Sequence, residues 1–247
     1  MNPNEFSNLA QVETSHWFYV GKREIVRHWI RRVHPLGLND LLVDCGAGTG
    51  AFAAEMTTAC RVIALDDHEE SLVLARQKLG PAQVMKGTCV NIPLPENSVD
   101  VLTALDVIEH VEQDRQALAE FSRVVKPGGL VVVTVPALMM LWSDWDVALH
   151  HFRRYTKRSL LAIIPRDSFE IVRCSYVNVA AFPLVVLVRK WRALKRLLGF
   201  KSEGRSEDRI PPAPLNALLK RSFVSLACQD WIQFPAGVGL LAVLRRK

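Results

Sequence analysis

Hydrophobic positions along this chain come in short unbroken runs rather than in strict alternation. Residues 41–44, Arg61–Asp66, residues 82–86, Val99–Leu105 and residues 130–135 are such runs, most of them bounded by Gly, Pro, Asn or Asp. Runs of four to eight apolar residues are the pattern of strands buried on both faces of a parallel sheet. Between them the spacing lengthens to the helical period. Residues 49–56, Glu69–Leu79 and residues 112–125 read as helices, the last two closed by Gly80-Pro81 and Pro127-Gly128-Gly129. A further helix, Trp17–Val33, precedes the first strand. Strand and helix in turn imply right-handed crossovers and a doubly wound α/β sheet.

The regularity breaks after Pro136. Residues 137–157 read as a long loop holding Trp142, Trp145, His150, His151, Phe152 and Tyr155, and long loops of this kind tend to carry function. A helix over 158–164 and a strand over Phe169–Val177 follow. Residues 183–235 read as a second irregular region, with a linker over 205–214 marked by Pro211, Pro212 and Pro214. A last strand over 239–244 closes the chain. The expected organisation is one domain over 1–247, with a core at 38–136 and two insertions at 137–157 and 183–235.

Composition narrows the class. The 247 residues are 49% hydrophobic and 23% charged, which excludes wholesale disorder and a multi-span membrane protein. Eight of the basic residues and only three acidic ones fall between Arg189 and Arg209, so five of the six net positive charges sit in one stretch. A confined patch suits a polyanion or membrane surface and argues against a nucleic-acid binder. The five cysteines, Cys45, Cys60, Cys89, Cys174 and Cys228, are scattered and form no CxxC pair. That points away from a disulfide framework or zinc site and towards a reducing cytoplasm. The longest apolar stretch, residues 177–188, falls short of the roughly 20 residues a spanning helix needs, and residues 1–15 carry no signal-peptide core.

The first strand runs into a glycine turn, Val43-Asp44-Cys45-Gly46-Ala47-Gly48-Thr49-Gly50, and then a helix. Glycines there let the backbone approach a ligand. The spacing also fits a dinucleotide fingerprint, with Asp66 twenty residues beyond the first glycine to hold ribose hydroxyls. Asp44 argues against that ligand, because its carboxylate would repel a pyrophosphate crossing the turn. A ligand carrying a sulfonium and an ammonium would instead be attracted.

Four further segments follow in order: Val62-Ile63-Ala64-Leu65-Asp66, the stretch from Gly87 to Asp100, Asp106-Val107-Ile108-Glu109-His110-Val111, and Val125-Lys126-Pro127-Gly128-Gly129. With the glycine turn they resemble the motifs of the class I S-adenosylmethionine-dependent methyltransferases over residues 38–136. The resemblance implies a Rossmann-like, doubly wound sheet of seven strands with a reversed last hairpin. It implies cofactor contacts by Asp44, Gly46, Gly48, Gly50 and Asp66, with Asp67, Thr88, Cys89 and Leu105 completing the set. Thr88 stands where the family usually offers an acid to the adenine, so recognition there leans on backbone groups and Cys89.

Methyl transfer needs a nucleophile held against the methyl group and, for oxygen, a proton acceptor. His110 follows the fourth strand and is one candidate base; capping the next helix is its other reading. His151 is the second candidate. Trp142, His150, Arg153, Arg154 and Tyr155 form a substrate-binding cluster similar to that of methyltransferases acting on lipids and saccharides, and adjacent arginines can pair with phosphate or carboxylate. The alternative is that Arg153 or Arg154 pins the loop by pairing with Asp144 or Asp146. Trp17, Phe18, Tyr19 and Arg23 could close over the cofactor or simply pack their helix. Residues 184–198 form a basic amphipathic helix with a tryptophan, suited to an anionic membrane surface, to the core, or to a second subunit. These features together predict a methyltransferase acting on a small-molecule, saccharide or lipid-linked acceptor, at oxygen, with no metal. An RNA methyltransferase and a non-catalytic cofactor-binding protein are the competing readings.

Overall fold

The computed structural model describes residues 10–198 and 209–247. Its elements are α1 (Trp17–Val33), β1 (Leu41–Cys45), α2 (Ala51–Met56), β2 (Arg61–Asp66), α3 (Glu69–Leu79), β3 (Val84–Lys86), β4 (Val99–Leu105), α4 (Asp114–Val124), β5 (Val125–Pro136), α5 (Asp144–Ala148), α6 (Lys157–Ile163), β6 (Phe169–Val177), α7 (Phe182–Leu197), α8 (Ala213–Ala227) and β7 (Gly239–Arg246). The strands form one seven-stranded sheet in the order β3-β2-β1-β4-β5-β7-β6. β1 to β5 pair in parallel, while β7 runs antiparallel to both β5 and β6. This is the doubly wound sheet with a reversed hairpin that the sequence implied.

Strand periodicity divides the core between the two faces. Val43 and Cys45 of β1 point to the face covered by Leu118 and Phe121 of α4 and Leu160 of α6. Leu42 points to the other, against Ile25, Val26, Trp29 and Ile30 of α1, Phe52 of α2 and Phe223 of α8. With helices on both faces, all five residues of β1 are buried, which is why it reads as an unbroken apolar run.

Three expectations change. β5 begins at Val125, because Val125 pairs with Val99 and extended backbone follows α4 directly; Pro127-Gly128-Gly129 lie inside the strand. Residues 183–235 are not one irregular region, since α7 and α8 occupy much of it and Pro212 is the residue that starts α8. Four of the ten residues of the expected linker, 205–208, lie outside the described residues. The loop at 137–157 contains α5, fixed by a capping box in which Ser143 and Asp146 satisfy one another's backbone groups.

The candidate active site

A cleft of about 810 Å³ opens at the carboxyl ends of β1, β2, β4 and β5, where open α/β sheets place their ligands. One end is made by the glycine turn. Gly46 has φ +68°, and a Cβ there would lie 2.5 Å from Val107 Cγ2, so only glycine fits. The Gly46 and Ala47 N–H groups donate to the Leu65 carbonyl at 2.7 and 3.0 Å, and Gly48 N–H donates to Asp66 Oδ2 at 2.8 Å. The turn therefore spends the Gly46, Ala47 and Gly48 donors within the fold. Asp66 also accepts from His68 N–H at 3.0 Å, which fixes its carboxylate at the end of β2.

Asp44 is buried and accepts from Thr103 Oγ1 at 2.7 Å. Burial, partly offset by that bond, pushes its pKa up to about 7. A cation beside it would relieve the cost of the buried charge. Asp67, Thr88, Cys89 and Leu105 line the same wall, and burial pushes the Cys89 thiol up to about 11. Buried acids at this end suit a cationic ligand.

The other end collects His110, His151, Glu109, Asp106 and Arg154. His110 sits in the short turn Ile108–His110, with its ring 4.6 Å from that of His151 and nearly perpendicular to it. It does not cap α4, whose cap is Gln113. Burial, with the neighbouring His151, lowers its pKa to about 4. His151 Nδ1 meets Asp146 Oδ1 at 2.9 Å, and Arg154 Nε donates to the same oxygen at 2.7 Å. Burial would raise Asp146, but its bonds to His151 and Arg154 hold it at about 2. Arg154 thus pins the loop, as one of the two readings had it.

Five of the candidate residues lie off the cleft lining. Gly50 is the left-handed cap of α2, and its α-carbon packs α2 against Ala75 of α3. Arg153 is turned to Asp114 Oδ2 (2.8 Å) and the Glu112 carbonyl (2.9 Å). Tyr155 is buried and donates to Asp114 at 2.8 Å, so the pair anchors the loop to α4 rather than meeting a ligand. Trp142 is half-buried beside α5, and His150 is exposed at a left-handed corner, φ +58°.

The family model for a methyltransferase domain matches residues 43–133. A probable S-adenosylmethionine-dependent methyltransferase of Mycolicibacterium smegmatis is 31% identical over 163 residues, covering 64% of this chain and 61% of the relative. Among solved structures, a methyltransferase of Thermotoga maritima aligns with a TM-score of 0.60 at 19% identity, over 99% of this chain and 95% of that one. A phosphoethanolamine N-methyltransferase of Haemonchus contortus, solved with S-adenosylmethionine, aligns with a TM-score of 0.56 at 15% identity, over 90% of this chain and 52% of that one. Residues 43–133 form a methyltransferase domain, and the chain is similar to S-adenosylmethionine-dependent methyltransferases. It spans about three-fifths of the length of the curated relatives it matches.

Several residues of this cleft escaped the sequence reading. Thr103 positions Asp44. Lys22 of α1 reaches across to pair with Asp106, whose other oxygen accepts from Thr134 at 2.9 Å. Burial would raise Asp106, but Lys22 holds its carboxyl below the ordinary range. Glu13 joins Thr49 and Lys78 beside the glycine turn. Glu109 lies within the segment Asp106–Val111, and its only sequence signal is a charged residue next to the buried Ile108.

Proposed function

We propose that this methyltransferase moves a methyl group from S-adenosylmethionine to an oxygen of a small-molecule, saccharide or lipid-linked acceptor. The observation that carries this is the division of one cleft into two ends, a glycine-turn end with buried acids for a cationic nucleoside and a histidine end for the acceptor. The cofactor supplies an electrophilic methyl on a positively charged sulfur. Asp44 and Asp66 hold that end in register, and the paired Lys22 and Asp106 also line the cleft. An acceptor hydroxyl at the far end meets two imidazoles, His110 and His151, as sites for its proton. Arg154 keeps His151 oriented through their shared Asp146.

Helix α7 supports a lipid-linked acceptor. Val185 and Arg189 line the cleft, while Leu184, Leu187, Val188, Trp191 and Leu194 are exposed on its outer side, with exposed Leu198 just beyond its end. No helix among the described residues is long and apolar enough to cross a membrane. An apolar stripe beside the mouth of a cleft, on a basic helix, fits one that rests on an anionic bilayer and delivers a lipid-borne hydroxyl inwards.

The test is calorimetry with S-adenosylmethionine, S-adenosylhomocysteine and NAD, followed by transfer of labelled methyl to fractionated lipids and glycolipids. Micromolar binding of the first two ligands, lost in Asp66→Ala, is expected. Binding of NAD alone would overturn the reading, and label appearing only in amines would overturn the oxygen assignment.

A further inference from the structure

Glu109 is completely buried, lines the cleft, and has no partner for either carboxylate oxygen. An unpartnered buried carboxyl costs free energy, and few native side chains are left so. One ligand atom each from Glu109, His110 and His151 lies within 4.8 Å of the others.

One of the two imidazoles is already oriented from outside. His151 is held through Nδ1 by Asp146, which leaves its Nε2 for the cleft, and the His110 ring packs edge-on against it at 4.6 Å. Histidines that bind metals almost always have the second nitrogen tied in this way. Two imidazoles and one carboxylate, with room for further ligands, form a donor set for a first-row divalent ion. Ligands around such an ion sit about 3–3.5 Å apart, so closure needs roughly an ångström of side-chain movement.

We propose that Glu109, His110 and His151 form a divalent-cation site of the zinc or cobalt class, at the acceptor end of the cleft. The site rests on the proposed function only for its role. There an acceptor oxygen completes the coordination and ionises more easily, and the imidazoles serve as ligands instead of free bases. The cluster has no recognisable spacing in sequence, since two neighbours join a histidine about forty residues on, which is why no metal was expected.

The experiment titrates Zn²⁺, then Co²⁺, into the full chain after chelator treatment. One equivalent is expected, with Co²⁺ giving visible ligand-field bands and no intense thiolate charge-transfer band. Affinity falls at least tenfold in Glu109→Gln and His151→Gln, and is unchanged in His68→Ala, which removes the more exposed cluster Asp66, Asp67 and His68. Absence of stoichiometric uptake, a thiolate band, or loss of binding in His68→Ala alone would overturn the site. The Co²⁺ spectrum of the unmutated chain decides the question if a variant does not fold. S-adenosylmethionine binding is measured on the same stripped protein. Cofactor binding without metal uptake removes the ion site and leaves the methyltransferase reading. Metal uptake without cofactor binding does the reverse.

Discussion

The two ends of the cleft solve opposite problems. At the glycine turn the polar groups are largely satisfied within the fold: Gly46, Ala47 and Gly48 donate to Leu65 and Asp66, and Asp44 accepts from Thr103. At the histidine end Glu109 has no partner at all. The first end is preorganised backbone, with its shape set before any ligand arrives. The second is a rigid wall with an unsatisfied group facing inwards, so its polar balance is completed by whatever binds. The glycine-turn end is thus shaped by chain geometry, and the histidine end by side-chain chemistry.

The largest expected effect tests the rigid wall. Arg154→Ala leaves the fully buried Asp146 carboxylate with fewer partners, and breaking a buried ion pair costs about 3 kcal/mol of stability. Denaturant unfolding measures it. A loss below about 1 kcal/mol, typical of an exposed pair, would mean that the wall is not held by this network, and the contrast between the ends would weaken.

A paired substitution probes the backbone end. Gly46→Ala would drive a Cβ into Val107, whereas the space beside Gly48 is open to 4 Å. Both residues have positive φ, so each alanine carries a strain of about 1 kcal/mol or more. Gly46→Ala is expected to lower the melting temperature further than Gly48→Ala, while both weaken S-adenosylmethionine at least tenfold. Equal melting temperatures with unequal affinities would show that Val107 yields and that the turn is less fixed than its hydrogen bonds suggest.

This contrast also governs what could be read from the sequence. The strands at Arg61–Asp66, Val99–Leu105 and Phe169–Val177, and the helix at Glu69–Leu79, were legible to the residue, because local period and breakers define them. The glycine turn was legible because a tight strand-to-helix turn leaves a contiguous signature. Arg153 and Tyr155 were not, because their partner Asp114 lies some forty residues back and nothing local reveals the pairing. α7 was seen as amphipathic, but which face would meet the protein was undecided. Its apolar stripe faces outwards because Val185 and Arg189, on the other side, close the cleft.

A smaller effect comes from Asp44. Its folded pKa of about 7 stands above the 3.8 of a free aspartate, so folding takes up a proton between those limits. The contribution of Asp44 to stability accordingly falls as pH rises from about 4 to 7. Cofactor binding has the opposite sign. A cationic ligand favours the carboxylate, so affinity for S-adenosylmethionine should rise with pH up to about 7 and level off above it, with a proton released on binding at lower pH. At most about tenfold in affinity is gained per pH unit. Calorimetry in buffers of differing ionisation enthalpy reads the proton directly, and Asp44→Asn should flatten the profile. A flat profile in the unmutated chain would mean that the positive charge lies elsewhere.

The smallest effect on stability belongs to α7. Trp191 is 58% exposed, with Lys195 stacked 5.5 Å over its ring, so Trp191→Asp should change unfolding free energy by no more than about 0.5 kcal/mol. The same change places a carboxylate in the middle of the apolar stripe, so co-sedimentation with anionic vesicles should be lost while binding of S-adenosylmethionine persists. A large drop in stability would instead identify the stripe as a packing surface. Vesicle binding indifferent both to the variant and to lipid charge would separate α7 from the membrane and leave it only as a wall of the cleft. Because Val185 and Arg189 share this helix with Trp191, loss of the membrane contact with intact cofactor binding would also establish that the acceptor end is served from outside the fold, while the cofactor end is built within it.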